Sequence, residues 1–366
     1  MIQKNLYLIF YIINKYKKIK WRHSIFTLKS VYSMLLLTDQ STRRIMKWII
    51  SILLVLQGLF FQLSFAAEPF PNKPIRIIVP LAPGATADYL ARSLAVELSK
   101  SIGQSVIVEN KAGGNQIIGT SELAKSNPDG YTIGLAISSL VINPYVSKNI
   151  PYDALKDFIP LAMLGIMPGL MTVHPSIPVK TFPEFIAYAK AHPGELAYGQ
   201  PGGLSSGHLT MEFLKKEAGI DLLSVPYKGG GPALTDMLAG RFQVFINSPT
   251  ATLPYVKSGN IKAIATTGAK RPIAMAEVPT IAESGYPNVI TNEWYALFLP
   301  AKTPTPIVNQ LNAEIVKIMN GPIMQKRLVD IGAETFTDNP EQFAKFIAKE
   351  DQFWGKLIKS LNIKPE

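Results

Sequence analysis

Residues 74–103 read PIRIIVPLAPGATADYLARSLAVELSKSIG, and their reading decides the fold. Ile75 to Val79 is a short β-branched apolar run closed by a proline, which predicts a buried strand. From Asp88 the period changes. Leu90, Leu94, Leu98 and Ile102 recur every fourth residue and so share one stripe of a helix, with Thr86 or Asp88 suited to cap its start and Gly103 its end. Strand, small-residue loop and helix together make one βα unit.

The same alternation continues outward. Val106 to Val108 precedes a helical stretch from Ile117 to Lys125, and Tyr131 to Ile137 reads as a third strand. A second series begins after Pro168-Gly169, with a strand from Leu170 to His174. Thr181-Phe182-Pro183-Glu184 then has the capping-box pattern for a helix reaching Ala191. Leu196 to Tyr198 leads through a Gly/Ser loop into a helix from His208 to Ala218. Leu222 to Val225 leads into Ala233 to Ala239, stopped by Gly240, and Val244 to Ile246 and Ile261 to Thr266 read as strands. Helices opened by Thr305-Pro306 and by Pro340 close the chain. Repeated βα units predict two lobes with mostly parallel sheets and a ligand between them, at the C-terminal ends of the strands.

The 366 residues are 47% apolar and 17% charged, which suits buried cores and excludes disorder. Net charge is +11, but residues 1–66 hold ten Lys/Arg and one acid, leaving 27 basic against 25 acidic residues beyond them. A phosphate-tracking basic face is therefore not expected, and nucleic acid is not an expected partner. The absence of cysteine excludes disulfides, thiolate metal sites and a cysteine nucleophile. Met46-Lys47, the apolar run from Trp48 to Phe61 and Ser64-Phe65-Ala66 form a signal peptide over 46–66, with cleavage expected after Ala66. The run is shorter than the ~20 residues of a spanning helix. Residues 1–45 are expected to be a non-native extension ahead of Met46.

Gly203-Leu204-Ser205-Ser206-Gly207 matches a nucleophile elbow between a strand and a helix. An esterase would also need a histidine well beyond its serine, and only His208 follows, three residues on. Residues 114–120 resemble a phosphate loop without its lysine, Gly229-Gly230-Gly231 lacks the third glycine of a dinucleotide fingerprint, and the scattered histidines make no metal site. No cofactor is expected. What remains is a pair of small-residue loops feeding helix starts, at 83–88 and 202–208. Free backbone N–H groups and the helix dipole favour an anion at such a place. Capping of their own helices by Thr86, Ser205 and Ser206 is the competing reading.

Several motifs in order resemble one known family: Pro-Asn-Lys-Pro-Ile-Arg-Ile-Ile-Val-Pro (71–80), the Pro83-Gly84 loop ending in Asp88, Val-Glu-Asn-Lys (108–111), Pro-Asp-Gly-Tyr-Thr (128–132), Ser-Gly-His-Leu (206–209), Pro-Tyr-Lys-Gly (226–229), Val-Pro-Thr (278–280) and Glu283-x-Gly285. The set is similar to the periplasmic receptors of tripartite tricarboxylate transporters, the Bug family.

The resemblance implies a type II periplasmic-binding-protein clamshell, α/β in class, with 67–168 plus 291–366 as lobe 1 and 169–290 as lobe 2. It implies a monomer that performs no chemistry, captures a small organic acid and delivers it to inner-membrane permease subunits; a sensor kinase is the alternative recipient. It points to Gly84, Ala85 and Thr86 in one lobe and Ser205, Ser206 and His208 in the other as the carboxylate grip. Ser138, Ser139 and Asn143, expected in a loop after Ile137, with Tyr227 and Asn247, would serve the distal part of the ligand. Ala85, Gln200, Gln243 and Asn247 depart from the family pattern, Ala85 replacing a glycine.

Overall fold

The computed structural model describes residues 70–335 and 339–365, together with Trp48 and Ser51. The expected extension, signal peptide and cleavage position lie outside the described residues, those two apart. Among the described residues no helix is long and apolar enough to cross a membrane.

Strands β1 (Ile75–Val79), β2 (Val106–Asn110) and β3 (Thr132–Ala136) form a parallel run in the order β2-β1-β3, with Ile77 opposite both Val108 and Ile133. Two long strands complete the sheet. β4 (Phe158–Pro168) and β10 (Asn292–Pro300) pair antiparallel from Phe158↔Pro300 to Pro168↔Asn292, and β10 lies between β4 and β3. The second sheet has the order β7-β6-β8-β5-β9, from β5 (Leu170–Val173), β6 (Ala197–Pro201), β7 (Leu223–Tyr227), β8 (Val244–Asn247) and β9 (Lys262–Thr266). It repeats the plan of the first: three parallel strands, then one antiparallel, β5, and an outer strand. The βα reading thus describes both sheets, but β4 and β10 were not anticipated. Both are nearly continuous apolar runs, as strands covered on two faces are, and carry no alternation.

Helices α1 (Thr86–Ile102), α2 (Ile117–Ala124), α3 (Ser139–Val146), α8 (Thr305–Met319), α9 (Pro322–Asp330) and α10 (Pro340–Ser360) accompany the first sheet, with α4 (Phe182–Ala191), α5 (Ser206–Ala218), α6 (Gly230–Leu238) and α7 (Pro249–Lys257) in the stretch of chain that forms the second. Leu90, Leu94 and Leu98 of α1 are fully buried beside Ile75 and Ile77, so the predicted stripe is its core face. Its cap differs from expectation. Ala85 takes the N-cap position with no side-chain bond, and Asp88 instead accepts from the Gly84 N–H at 3.0 Å.

The chain crosses between the sheets at Pro168-Gly169 and again before Asn292. Threonines tie the two crossings together. Thr267 Oγ1 accepts from the Gly169 N–H at 2.8 Å and donates to the Thr291 carbonyl at 2.7 Å, and Thr291 Oγ1 meets Thr210 Oγ1 of α5 at 2.8 Å.

Candidate functional site

Four helix starts converge on the seam between the sheets, because each follows a strand that ends there. α1 follows β1, α3 follows β3, α5 follows β6 and α7 follows β8. Their N-cap residues, Ala85, Ser138, Ser205 and Ser248, make no side-chain capping bond. The first backbone N–H groups of these helices are therefore not capped by their own side chains.

The four starts pair across the seam. Thr86 Oγ1 on α1 lies 3.3 Å from Ser248 Oγ at the start of α7, and both hydroxyls act on the buried Tyr295 phenol, favouring its ionised form against burial. At the second pair, Glu293 Oε1 accepts from the Ser138 N–H at 2.8 Å while Oε2 accepts from Ser206 Oγ on α5 at 2.6 Å. Glu293 and Tyr295 are two residues apart on β10 and share one face of the strand. Trp294 between them turns into the core beneath α3 and α10. Burial pushes the Glu293 carboxyl above its ordinary range, with the Ser206 and Ser138 hydrogen bonds opposing it. Burial and then the nearby Glu293 charge push the Tyr295 phenol up.

The loop at 83–88 is built without strain at Ala85. That residue has φ −70° and ψ 160°, and the positive φ of +85° falls on Gly84. The second glycine of the family pattern is thus not required here. Asp88 serves the loop: burial works against its charge, but Arg92, the Gly84 N–H and Asn110 together hold its carboxyl below the usual range. Gln200 bonds the Gly203 carbonyl and accepts from Ser224 Oγ at 3.1 Å, bracing the opposite loop. Gln243 accepts from the Ala197 N–H at 2.9 Å within its own sheet.

Of the residues singled out from sequence, Thr86, Ser138, Ser205 and Ser206 meet at the seam. Ser205 Oγ is buried there with no hydrogen-bond partner. His208 is buried, its Nδ1 3.4 Å from the Gly203 carbonyl and its ring 5.9 Å from that of Tyr198, so it backs the loop from inside α5. Ser138 lies in the short loop after β3, as expected, but Ser139 and Asn143 lie in a helix. Ser138 takes the N-cap position of α3, and the apolar run Leu140 to Ile142 winds the residues after it helically against the core. Ser139 bonds Gln116, and Asn143, fully buried, donates to the Asn115 carbonyl at 2.8 Å and accepts from Asn115 Nδ2 at 2.7 Å. Tyr227 is turned away, its hydroxyl donating to Asp236 on α6 at 2.9 Å. Asn247 lies against the start of α6, 3.1 Å from where a Gly230 Cβ would stand.

Sequence reasoning missed Glu293, Tyr295, Asn115 and Gln116. Asn115 and Gln116 have φ of 48° and 74°, following Gly113 and Gly114 at 130° and 55°. Four successive residues in the left-handed region bend this loop toward the seam, where a Gly203 Cβ would stand 3.4 Å from the Asn115 amide. The Gly-Gly-Asn run was the available signal. Glu293 had none, since its strand was not read.

Comparison with known proteins gives the family and the fold. The family model for the tripartite tricarboxylate transporter family receptor, TctC, matches residues 90–363. Protein BugT of Bordetella pertussis is 35% identical over 319 residues, 85% of this chain and 98% of BugT. A protein of R. palustris solved with adipate superimposes with a TM-score of 0.76 at 34% identity, over 81% of this chain and 100% of that one. MatC from Rhodopseudomonas palustris, solved with bound malate, gives 0.70 at 28% identity over 79% and 100%. The family and its neighbours are solute-binding proteins and not enzymes, and their fold is that of the periplasmic binding proteins. By family model, sequence and fold alike, the chain belongs to the TctC receptors of the tripartite tricarboxylate transporter family.

Proposed function

We propose that the protein is exported to the periplasm, closes as a monomer around one small organic acid and delivers it to inner-membrane permease subunits. Its lobes would be 67–168 plus 291–366 and 169–290, with the carboxylate held by Gly84, Ala85 and Thr86 from one side and by Ser205 and Ser206 from the other. The observation that carries this reading is the Ser205 hydroxyl, buried without a partner at a helix start that faces a second helix start across the seam. A carboxylate there would meet a hydroxyl, backbone N–H groups and the positive ends of helices, all preorganised. Adipate and malate in two neighbours of the same fold support the ligand class.

Thermal melting and small-angle scattering with mono-, di- and tricarboxylates beside their fully amidated analogues test it. A ligand at ~100 times its dissociation constant adds ~2.7 kcal/mol of stability, and one gripped from both lobes also compacts the protein. Equal stabilisation by the neutral amides would refute the carboxylate grip.

A further inference from the structure

Resting on the proposed carboxylate site, we propose that Glu293 is the residue that sets its specificity. By placing a fixed carboxylate at the seam, it selects a ligand with one ionised carboxylate and a hydrogen-bond-donating far end over a ligand with two ionised carboxylates.

The geometry carries this. Two of the four helix starts at the seam, α3 and α5, are already compensated by a carboxylate of the protein, whose two oxygens take the Ser138 N–H and the Ser206 hydroxyl. Between α1 and α7 the groups that meet are the neutral hydroxyls of Thr86 and Ser248, the Asp88 carboxylate in the first turn of α1 being taken up by Arg92 and the Gly84 N–H, and the unpartnered Ser205 hydroxyl is next in sequence to Ser206. A ligand carboxylate at α1 and Ser205 thus has a second anion as its neighbour. Each Glu293 oxygen still has acceptor capacity, so a ligand hydroxyl, amide or protonated acid adds a bond there, whereas a second carboxylate meets like charge.

The ionisable groups on which the Glu293 charge bears are Tyr295 on its own strand and Glu350 on α10. α3 offers it a backbone N–H and α5 the Ser206 hydroxyl, while His208, two residues on, is turned to Gly203. Among the described residues no cation forms an ion pair with it. A second ligand carboxylate therefore enters best when one proton is taken from solvent, onto Glu293 or onto the ligand.

The experiment is titration calorimetry of the purified protein with succinate, glutarate and adipate, each beside its monoamide and its diamide, in buffers of differing ionisation enthalpy. Wild type should bind monoamides roughly tenfold or more tighter than the matching diacids near neutral pH, and diacid binding alone should take up close to one proton. In Glu293→Gln the preference should shrink or reverse and the proton uptake vanish. Wild type alone is decisive should that variant fold poorly. Equal affinity for diacid and monoamide, or diacid binding without proton uptake, would overturn the role of Glu293 while leaving the carboxylate reading intact. Diamides binding as well as the acids would overturn both.

Discussion

Ser206 on α5 and Glu293 on β10 share a hydrogen bond of 2.6 Å that joins the two halves of the molecule, and the same carboxylate holds the start of α3 through Ser138. Helix α5 also inserts fully buried Leu209 into the apolar cluster formed by α3, β10 and α10. At this point of the seam a hydrogen bond to a buried carboxyl thus stands beside an apolar contact, and Lys216 Nζ of α5 adds a bond to the Ser360 carbonyl of α10 at 2.8 Å.

Ser206→Ala should cost about 1.5–3 kcal/mol in chemical denaturation, the usual value of a hydrogen bond to a charged group. Most of that loss should disappear in a Glu293→Gln background. A double-mutant cycle showing no coupling would mean that the pair does not hold the seam in solution.

Glu293 gives a pH dependence of definite sign. Its carboxyl is raised by burial, so around its titration the folded protein binds more protons than the unfolded chain. Stability then falls as pH rises from the ordinary glutamate value toward the raised one, and stays at the lower level above it. Glu350 is raised by burial as well, with the Trp354 and Trp294 indoles opposing, and acts in the same direction. Melting curves between about pH 4 and pH 8 should show this downward contribution reduced, not abolished, in Glu293→Gln.

Asp88 has the opposite sign. Its carboxyl is lowered on folding, so its contribution is present above the ordinary aspartate value and is lost as pH falls through the lower folded one. Asp88→Ala leaves the Gly84 N–H and the Asn110 amide without this acceptor. It should cost about 1–3 kcal/mol near neutral pH. The cost should narrow in acid.

Asn143→Ala removes both hydrogen bonds to Asn115 from a fully buried position. Destabilisation of about 1–3 kcal/mol is expected. The left-handed loop at 113–116 should also lose protection, read as faster amide exchange there with little change in the second sheet.

Gly207→Ala would set a Cβ 2.9 Å from the Ile246 carbonyl, a backbone atom that cannot swing aside. The first turn of α5 would have to lift from β8. A lower melting temperature and weaker ligand binding should therefore appear together in this variant, although alanine is the better helix former.

The sequence by itself determined the βα units, because their signals are local. A four-residue leucine stripe, a β-branched run and a terminating glycine each act within one element, and α1 lies where Leu90, Leu94, Leu98 and Gly103 place it. It also determined which two loops stand at helix starts. Only the tertiary structure decided the long pairing of β4 with β10, since strands buried on both faces carry no period and find each other across more than a hundred residues. It likewise decided what Glu293 does. A glutamate in an apolar run has no meaning until the fold places helix starts beside two different sheets on its oxygens, and tolerance of Ala85 became visible only when the positive φ fell on Gly84.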